Sequence, residues 1–203
     1  MHGLFVACKA VSNRRKEAAR CERCYMLVQG CVCAIVPQLQ TRTRLLVILH
    51  AAEAKKPTNT GRLAALCTDN SQVLVRGRAN ESLDLGFLAG QNARVLCLDD
   101  SATLLQPVAS PVTLIVPDGS WRQASKMPRR EPMLRDLPRV RLPAVSARAP
   151  ALRREPKDDG LATFIAIAHA LGVLEDPAIE QAMLAFYDVV AQRILRARQG
   201  QLS

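Results

Sequence analysis

The chain has 203 residues, 49% of them hydrophobic, and 28 Lys/Arg against 18 Asp/Glu give a formal net charge of +10. That hydrophobic share excludes a disordered chain, and the length suits one α/β domain with a proper core and at most a small appendage. No apolar run approaches the ~20 residues of a membrane span. Residues 3–7 are too short for a signal-peptide core and lead into Asn13-Arg14-Arg15-Lys16, not a small-residue cleavage site, so a cytoplasmic location is expected.

Near the N-terminus four of the seven cysteines are bunched, as Cys21-x2-Cys24 and Cys31-x-Cys33. Disulfides are rare in cytoplasmic chains. Two thiolate pairs on tight turns can converge tetrahedrally on one Zn2+, and Gly30 helps the backbone fold around it. Four sulfurs leave no open position for water, so this zinc is structural; a redox pair and chance clustering are the other readings. The expected division is an N-terminal segment with a four-cysteine zinc knuckle over residues 1–40 and a catalytic α/β domain over 41–203. Cys97, in an apolar run over 94–98, is expected to be a buried hydrophobe.

After the knuckle, residues 44–49 read as a buried strand ending at His50. A loop over 51–59 leads to a helix over 61–66, with Thr60 at or near its N-cap. Residues 72–75, 94–98 and 112–116 read as further strands. Behind the last of these, Pro117 delivers the tetrad Asp118-Gly119-Ser120-Trp121 to the sheet's carboxyl edge, where open α/β sheets bind ligands. Trp121 is the only tryptophan among seven aromatics, so its placement there points to a site; covering the end of the core is the plainer reading. A helix is expected over 119–126, interrupted at Pro128. A strand-like piece follows near 139–142, then helices over 161–174 and 176–198. In the last helix Ile179, Met183, Phe186, Val190 and Ile194 share one face, and Asp176-Pro177 supplies its cap and first turn. Strands alternating with helices argue for a mainly parallel sheet.

The charge is uneven. Arginine supplies 22 of the 28 cations, and residues 122 to 157 hold eleven Lys/Arg against Glu131, Asp136 and Glu155 alone. A concentrated face of planar, permanently charged forks predicts a nucleic-acid partner; the plain alternative is a solvated, arginine-rich surface. No aromatic stacking platform is evident, which favours recognition of RNA by shape. The turn Thr58-Asn59-Thr60-Gly61 offers backbone N–H groups at a helix start, suited to a carboxylate or phosphate.

Four features in this order resemble the DTW-domain family, the tRNA-uridine aminocarboxypropyltransferases. They are the cysteine knuckle, His50-Ala-Ala-Glu53-Ala-Lys-Lys-Pro57-Thr-Asn-Thr-Gly61, Asp118-Gly119-Ser120-Trp121-Arg122-Gln123-Ala124, and the closing Leu152-Arg-Arg-Glu-Pro156 with 161–168. The resemblance covers nearly the whole chain from Cys21. It implies an α/β fold similar to SPOUT-type methyltransferases, in which the C-terminal segment can be knotted. It also implies transfer of the 3-amino-3-carboxypropyl group of S-adenosylmethionine to N3 of a uridine in tRNA, releasing methylthioadenosine. The chain departs from the family pattern at Ala51 (proline in relatives), at Ser120 (threonine), and at Ala162 and Ile165 (serine and glutamate).

Under that resemblance Asp118 is the candidate general base, and Ser120 keeps the tetrad's hydroxyl. Trp121 is placed to pack on the cofactor's sulfonium. Thr58, Asn59, Thr60, Gly61 and Thr163 are the candidate cofactor-binding residues. Arg122, Arg129, Arg130, Arg153 and Arg154 are the candidate RNA contacts; no membrane role and no obligate protein partner are inferred. His50 stands as an auxiliary group or a structural histidine, and His169 as a packed one. Two rivals remain: a SPOUT-type RNA methyltransferase, and a non-catalytic zinc-knuckle RNA-binding protein.

Overall fold

The computed structural model describes residues 10–11, 19–54, 56, 58–77, 83–97, 99, 101–143 and 162–201. Two short strands, β1 (Ala10–Val11) and β2 (Arg20–Cys21), pair antiparallel and bring the chain to the knuckle. The apolar run from Leu45 to Leu49 becomes β3 (Arg44–His50), with all five residues buried. A strand apolar on both faces must be covered on both, and here it is. α1 (Gly61–Leu66), β4 (Ser71–Arg76), β5 (Ala93–Leu96), β6 (Thr103–Leu104) and β7 (Thr113–Asp118) follow. Then come α2 (Trp121–Arg130), α3 (Pro132–Arg135), β8 (Arg139–Arg141), α4 (Thr163–Leu174) and α5 (Pro177–Arg198).

Six strands form one sheet in the order β4-β3-β7-β5-β8-β6, and every pairing in it is parallel. Alternate side chains go to opposite faces. Leu45, Val47, Leu114 and Val116 pack with α1, α4 and α5 on one side; Leu46, Ile48, Ile115 and Val95 pack with Met127 of α2 and Leu134 of α3 on the other. The result is three layers.

Two local expectations are corrected. β7 does not stop at Val116 but runs through Pro117 to Asp118. The missing proline N–H is tolerated because pairing with β5 has ended at Ile115. α2 does not break at Pro128 either: the proline lies in its last turn, and the helix ends two residues later. Asp176 caps α5 as expected, its Oδ1 accepting the Ala178 N–H at 2.7 Å. The adjoining Glu175 ties the α4–α5 turn to the foot of β3, accepting the Thr43 N–H (2.7 Å) and hydroxyl (2.5 Å).

The knuckle shares the larger core: Cys21, Cys24, Met26, Val32 and Val36 belong to the same buried cluster as α4 and α5. The Phe164 and Tyr187 rings lie 5.3 Å apart. At 1.5 Å per residue, α5 therefore overruns the start of α4 by about 17 Å. That overhang reaches the knuckle, where Arg193 Nη1 donates to the Cys31 carbonyl. The threading of a C-terminal knot would pass through 144–161, which lies outside the described residues.

Candidate functional site

β3 continues through α1 to β4 on one side of it, whereas β7 continues through α2 and α3 to β8 on the other. Adjacent parallel strands whose connections diverge leave a crevice at their carboxyl ends. Those ends carry His50 and Asp118, and Leu49 is in register with Asp118.

Asp118 is only 3% exposed. Its Oδ2 accepts a hydrogen bond from Asn59 Nδ2 at 2.6 Å, and its Oδ1 accepts one from the Thr163 hydroxyl at 2.8 Å. The Thr60 hydroxyl oxygen accepts the Phe164 N–H at 3.3 Å. One carboxylate thus joins the loop before α1, the end of β7 and the start of α4. Gly61 is what allows the approach, since a Cβ there would sit 2.3 Å from Asp118 Oδ2 and 3.2 Å from Thr163 Cγ2. Three of the five residues expected to hold the cofactor, Asn59, Gly61 and Thr163, therefore meet at Asp118 as a clasp, and Thr60 is tied to it through the Phe164 N–H. Thr58 stands beside it, facing a groove under the end of α5.

The rest of the tetrad builds the start of α2. Exposed Ser120 is the N-cap, and its N–H donates to Gln123 Oε1 at 2.8 Å. The S-x-x-Q spacing was a readable signal for this box. Trp121 is half-buried at the first helical position. Beside the tetrad, His50 caps the turn after β3, its Nδ1 accepting the Ala52 N–H at 3.2 Å. Buried Glu53 pairs with Lys56 Nζ at 2.6 Å. Ile165, where the resemblance implies a glutamate, is buried in the core cluster with residues of α1 and α5. His169, expected to be merely packed, is paired with Glu180 Oε1 at 2.7 Å.

The four knuckle cysteines do converge, with all Sγ atoms within 4.8 Å of one another. Cys21–Cys33 and Cys24–Cys31 stand at 3.6 and 3.7 Å. Sulfurs bound tetrahedrally at ~2.3 Å would be ~3.8 Å apart, so the donor set fits zinc. Burial pushes the Cys24 and Cys33 thiols up from their ordinary value. Elsewhere burial pushes Cys67 up to about 12. Cys97 is half-buried, not fully buried as expected, and the same cause raises it.

One link escaped the sequence reading. Tyr25 adopts φ 59°, a left-handed backbone uncommon for a bulky residue. Its N–H donates to the Cys21 carbonyl at 2.9 Å, and Arg20 Nη1 donates to its carbonyl at 3.2 Å. Its ring lies 4.0 Å from the Arg62 guanidinium, whose Nη2 donates to the Ala54 carbonyl at 2.6 Å. The knuckle thus props the loop that supplies Asn59. A tyrosine–arginine contact between distant segments leaves no mark in a single sequence.

Of the expected RNA contacts, Arg122, Arg129 and Arg130 are exposed along α2, with Arg129 within 3.9 Å of Asp99. Arg153 and Arg154 lie outside the described residues. No helix among the described residues is long and apolar enough to cross a membrane.

Comparison with known proteins shows the family. The protein named tRNA-uridine aminocarboxypropyltransferase 2 from Mus musculus is 28% identical over 182 residues, covering 81% of this chain and 58% of its own length. That of the same name from Drosophila melanogaster is 27% identical over 184 residues, covering 85% and 72%. The chain therefore spans less than two thirds of the mouse relative. Among solved structures, the SAM-dependent rRNA:acp-transferase Tsr3 from Vulcanisaeta distributa is similar over 82% of both chains, with a TM-score of 0.49 and 18% identity. A model of the DTW domain matches residues 18–195, a span that takes in the knuckle, the clasp and the tetrad, and the chain belongs to the DTW-domain family.

Proposed function

We propose that this protein transfers the 3-amino-3-carboxypropyl group of S-adenosylmethionine to N3 of a uridine in tRNA, releasing methylthioadenosine. The observation that carries the reading is the buried Asp118–Asn59–Thr163 clasp at the switch point of a parallel sheet, in a chain of this family. The named activity of the relatives supports it.

Thr58, Asn59, Thr60, Gly61 and Thr163 are the residues to hold S-adenosylmethionine, whose sulfonium, when bound, supplies the alkylating carbon. A displacement proceeds at whichever carbon is held in line with nucleophile and leaving sulfur, so rigid walls decide the product. Asp118 supplies that rigidity by fixing the mutual position of three segments. Acting also as base toward N3–H would require one of its remaining lone pairs to face the uridine. Trp121 and Ser120 border the crevice from α2, and Arg122, Arg129 and Arg130, with Arg153 and Arg154, provide cations for tRNA phosphates.

Zn2+ on Cys21, Cys24, Cys31 and Cys33 braces the knuckle, and through Tyr25 and Arg62 the loop of the clasp. We assign residues 1–40 to this brace and 41–203 to the catalytic unit.

The test is mass spectrometry of a reaction with S-adenosylmethionine and unmodified bulk tRNA, reading nucleoside and by-product together. Methylthioadenosine with an aminocarboxypropyl-uridine is expected. S-adenosylhomocysteine with a methylated nucleoside would make the protein a methyltransferase. Neither product, despite tRNA binding, would leave a binding protein.

A further inference from the structure

The overhang of α5 closes a groove of about 160 Å3 against the knuckle. Its apolar floor is Met26 and Leu27 from the knuckle with Ile194 and Ala197 from α5, and its rim carries Arg20, Arg198 and Thr58. Thr58 directly precedes Asn59, so the groove adjoins the Asp118 clasp. Sites that enclose a whole small-molecule ligand run to about 300–1,000 Å3, so this one holds a part of a larger ligand. An apolar floor that shares its lining with two arginines matches one nucleotide of a polyanionic chain. The base lies on the floor, and the arginines meet its phosphates or stack on its face. Arg20 is already oriented by its bond to the Tyr25 carbonyl. Cations favour any helix C-terminus, which accounts for Arg196 in the same turn; Arg198 lines the groove as well.

We infer that the groove between the knuckle and the last turn of α5 is an RNA subsite that receives a nucleotide flanking the target uridine, gripped by Arg20 and Arg198. The inference rests on the proposed action on tRNA and adds a contact surface separate from the arginines of α2.

The experiment titrates labelled, unmodified bulk tRNA with the purified full-length protein by fluorescence anisotropy at several salt concentrations. Arg198→Ala is expected to weaken binding about tenfold. It should also lower the slope of log Kd against log salt by about one, the signature of one lost phosphate contact. Ala197→Glu, which places a carboxylate on the floor, is expected to weaken binding at least as much. Arg196→Ala, in the same turn but away from the groove, should change Kd less than about twofold. Melting temperatures confirm that each variant is folded; if Arg198→Ala is not, Ala197→Glu decides. Arg198→Ala or Ala197→Glu binding with wild-type affinity and slope overturns the subsite, as does an equal loss with Arg196→Ala. A wild-type protein that binds no tRNA overturns both the subsite and the proposed function, so the two failures are distinguishable.

Discussion

Replacing Gly61 with alanine sets two effects of opposite sign against each other. Gly61 is the first residue of α1, and its backbone is not left-handed. On helix propensity and unfolded-state entropy alone, alanine would stabilise by about 0.4–1 kcal/mol. The added Cβ, however, would stand 2.3 Å from Asp118 Oδ2 and 2.9 Å from its Cγ. To restore contact distance the carboxylate must retreat by about 1 Å. It is buried and anchored to Asn59 at 2.6 Å and Thr163 at 2.8 Å, so the retreat breaks at least one of these bonds. A hydrogen bond to a charged group contributes about 1.5–3 kcal/mol, and crowding a packed site costs about 1–3 more. The steric cost wins, with a net loss of about 2–4 kcal/mol. For a domain of this size that lowers Tm by roughly 4–16 °C. Thermal melting followed by circular dichroism measures it, and transfer activity should fall with the clasp. A variant melting at or above wild type, with full activity, would refute the clasp as the organising element of the site.

Asp118→Asn separates positioning from base chemistry. An asparagine can still accept from Asn59 and donate to the Thr163 oxygen, so Tm should fall by only a few degrees, about 1 kcal/mol. Single-turnover assays in which transfer drops a hundredfold or more in this folded variant would assign Asp118 the proton, whereas near-wild-type rates would leave it a positioning residue. Cys24→Ser should release zinc, measured by elemental analysis at one equivalent in wild type, and should lower Tm. An unchanged melt with unchanged metal content would dismiss the knuckle assignment. Glu175 gives a pH signature. Burial raises its pKa, but the Thr43 hydroxyl and N–H, the Arg42 N–H and the Arg42 charge together outweigh that and hold it below the usual carboxylate value of 4.5. A depressed folded value stabilises the protein above the unfolded pKa and is lost as pH falls through the folded one. Glu175→Gln should therefore cost about 1 kcal/mol at pH 7 and progressively less below pH ~4.5. A difference from wild type that persists undiminished at pH 3 in urea melts would contradict the pairing.

What the chain's order alone determined is local and repetitive. The run from Leu45 to Leu49 read as a buried strand, and it is one. The Asp176-Pro177 start and the apolar face from Met183 to Ile194 specified α5, and the C-x2-C and C-x-C spacing specified a cluster that does close. Each of these is written within a few residues or at a fixed period. Where sequence reading ended elements at Pro117 and Pro128 it applied a local rule; β7 runs on because its pairing with β5 has already ended at Ile115, and α2 continues for two residues past Pro128 at the loss of one intrahelical bond. The site belongs to the tertiary structure. Asn59, Asp118 and Thr163 are far apart along the chain, and nothing in their local spacing shows that one carboxylate takes a bond from each. The length of α5 was legible, but not that its last turns pass the start of α4 and line a groove against the knuckle. Hydrogen bonds and grooves between distant segments depend on which faces pack together, and that is settled only when the core between them closes.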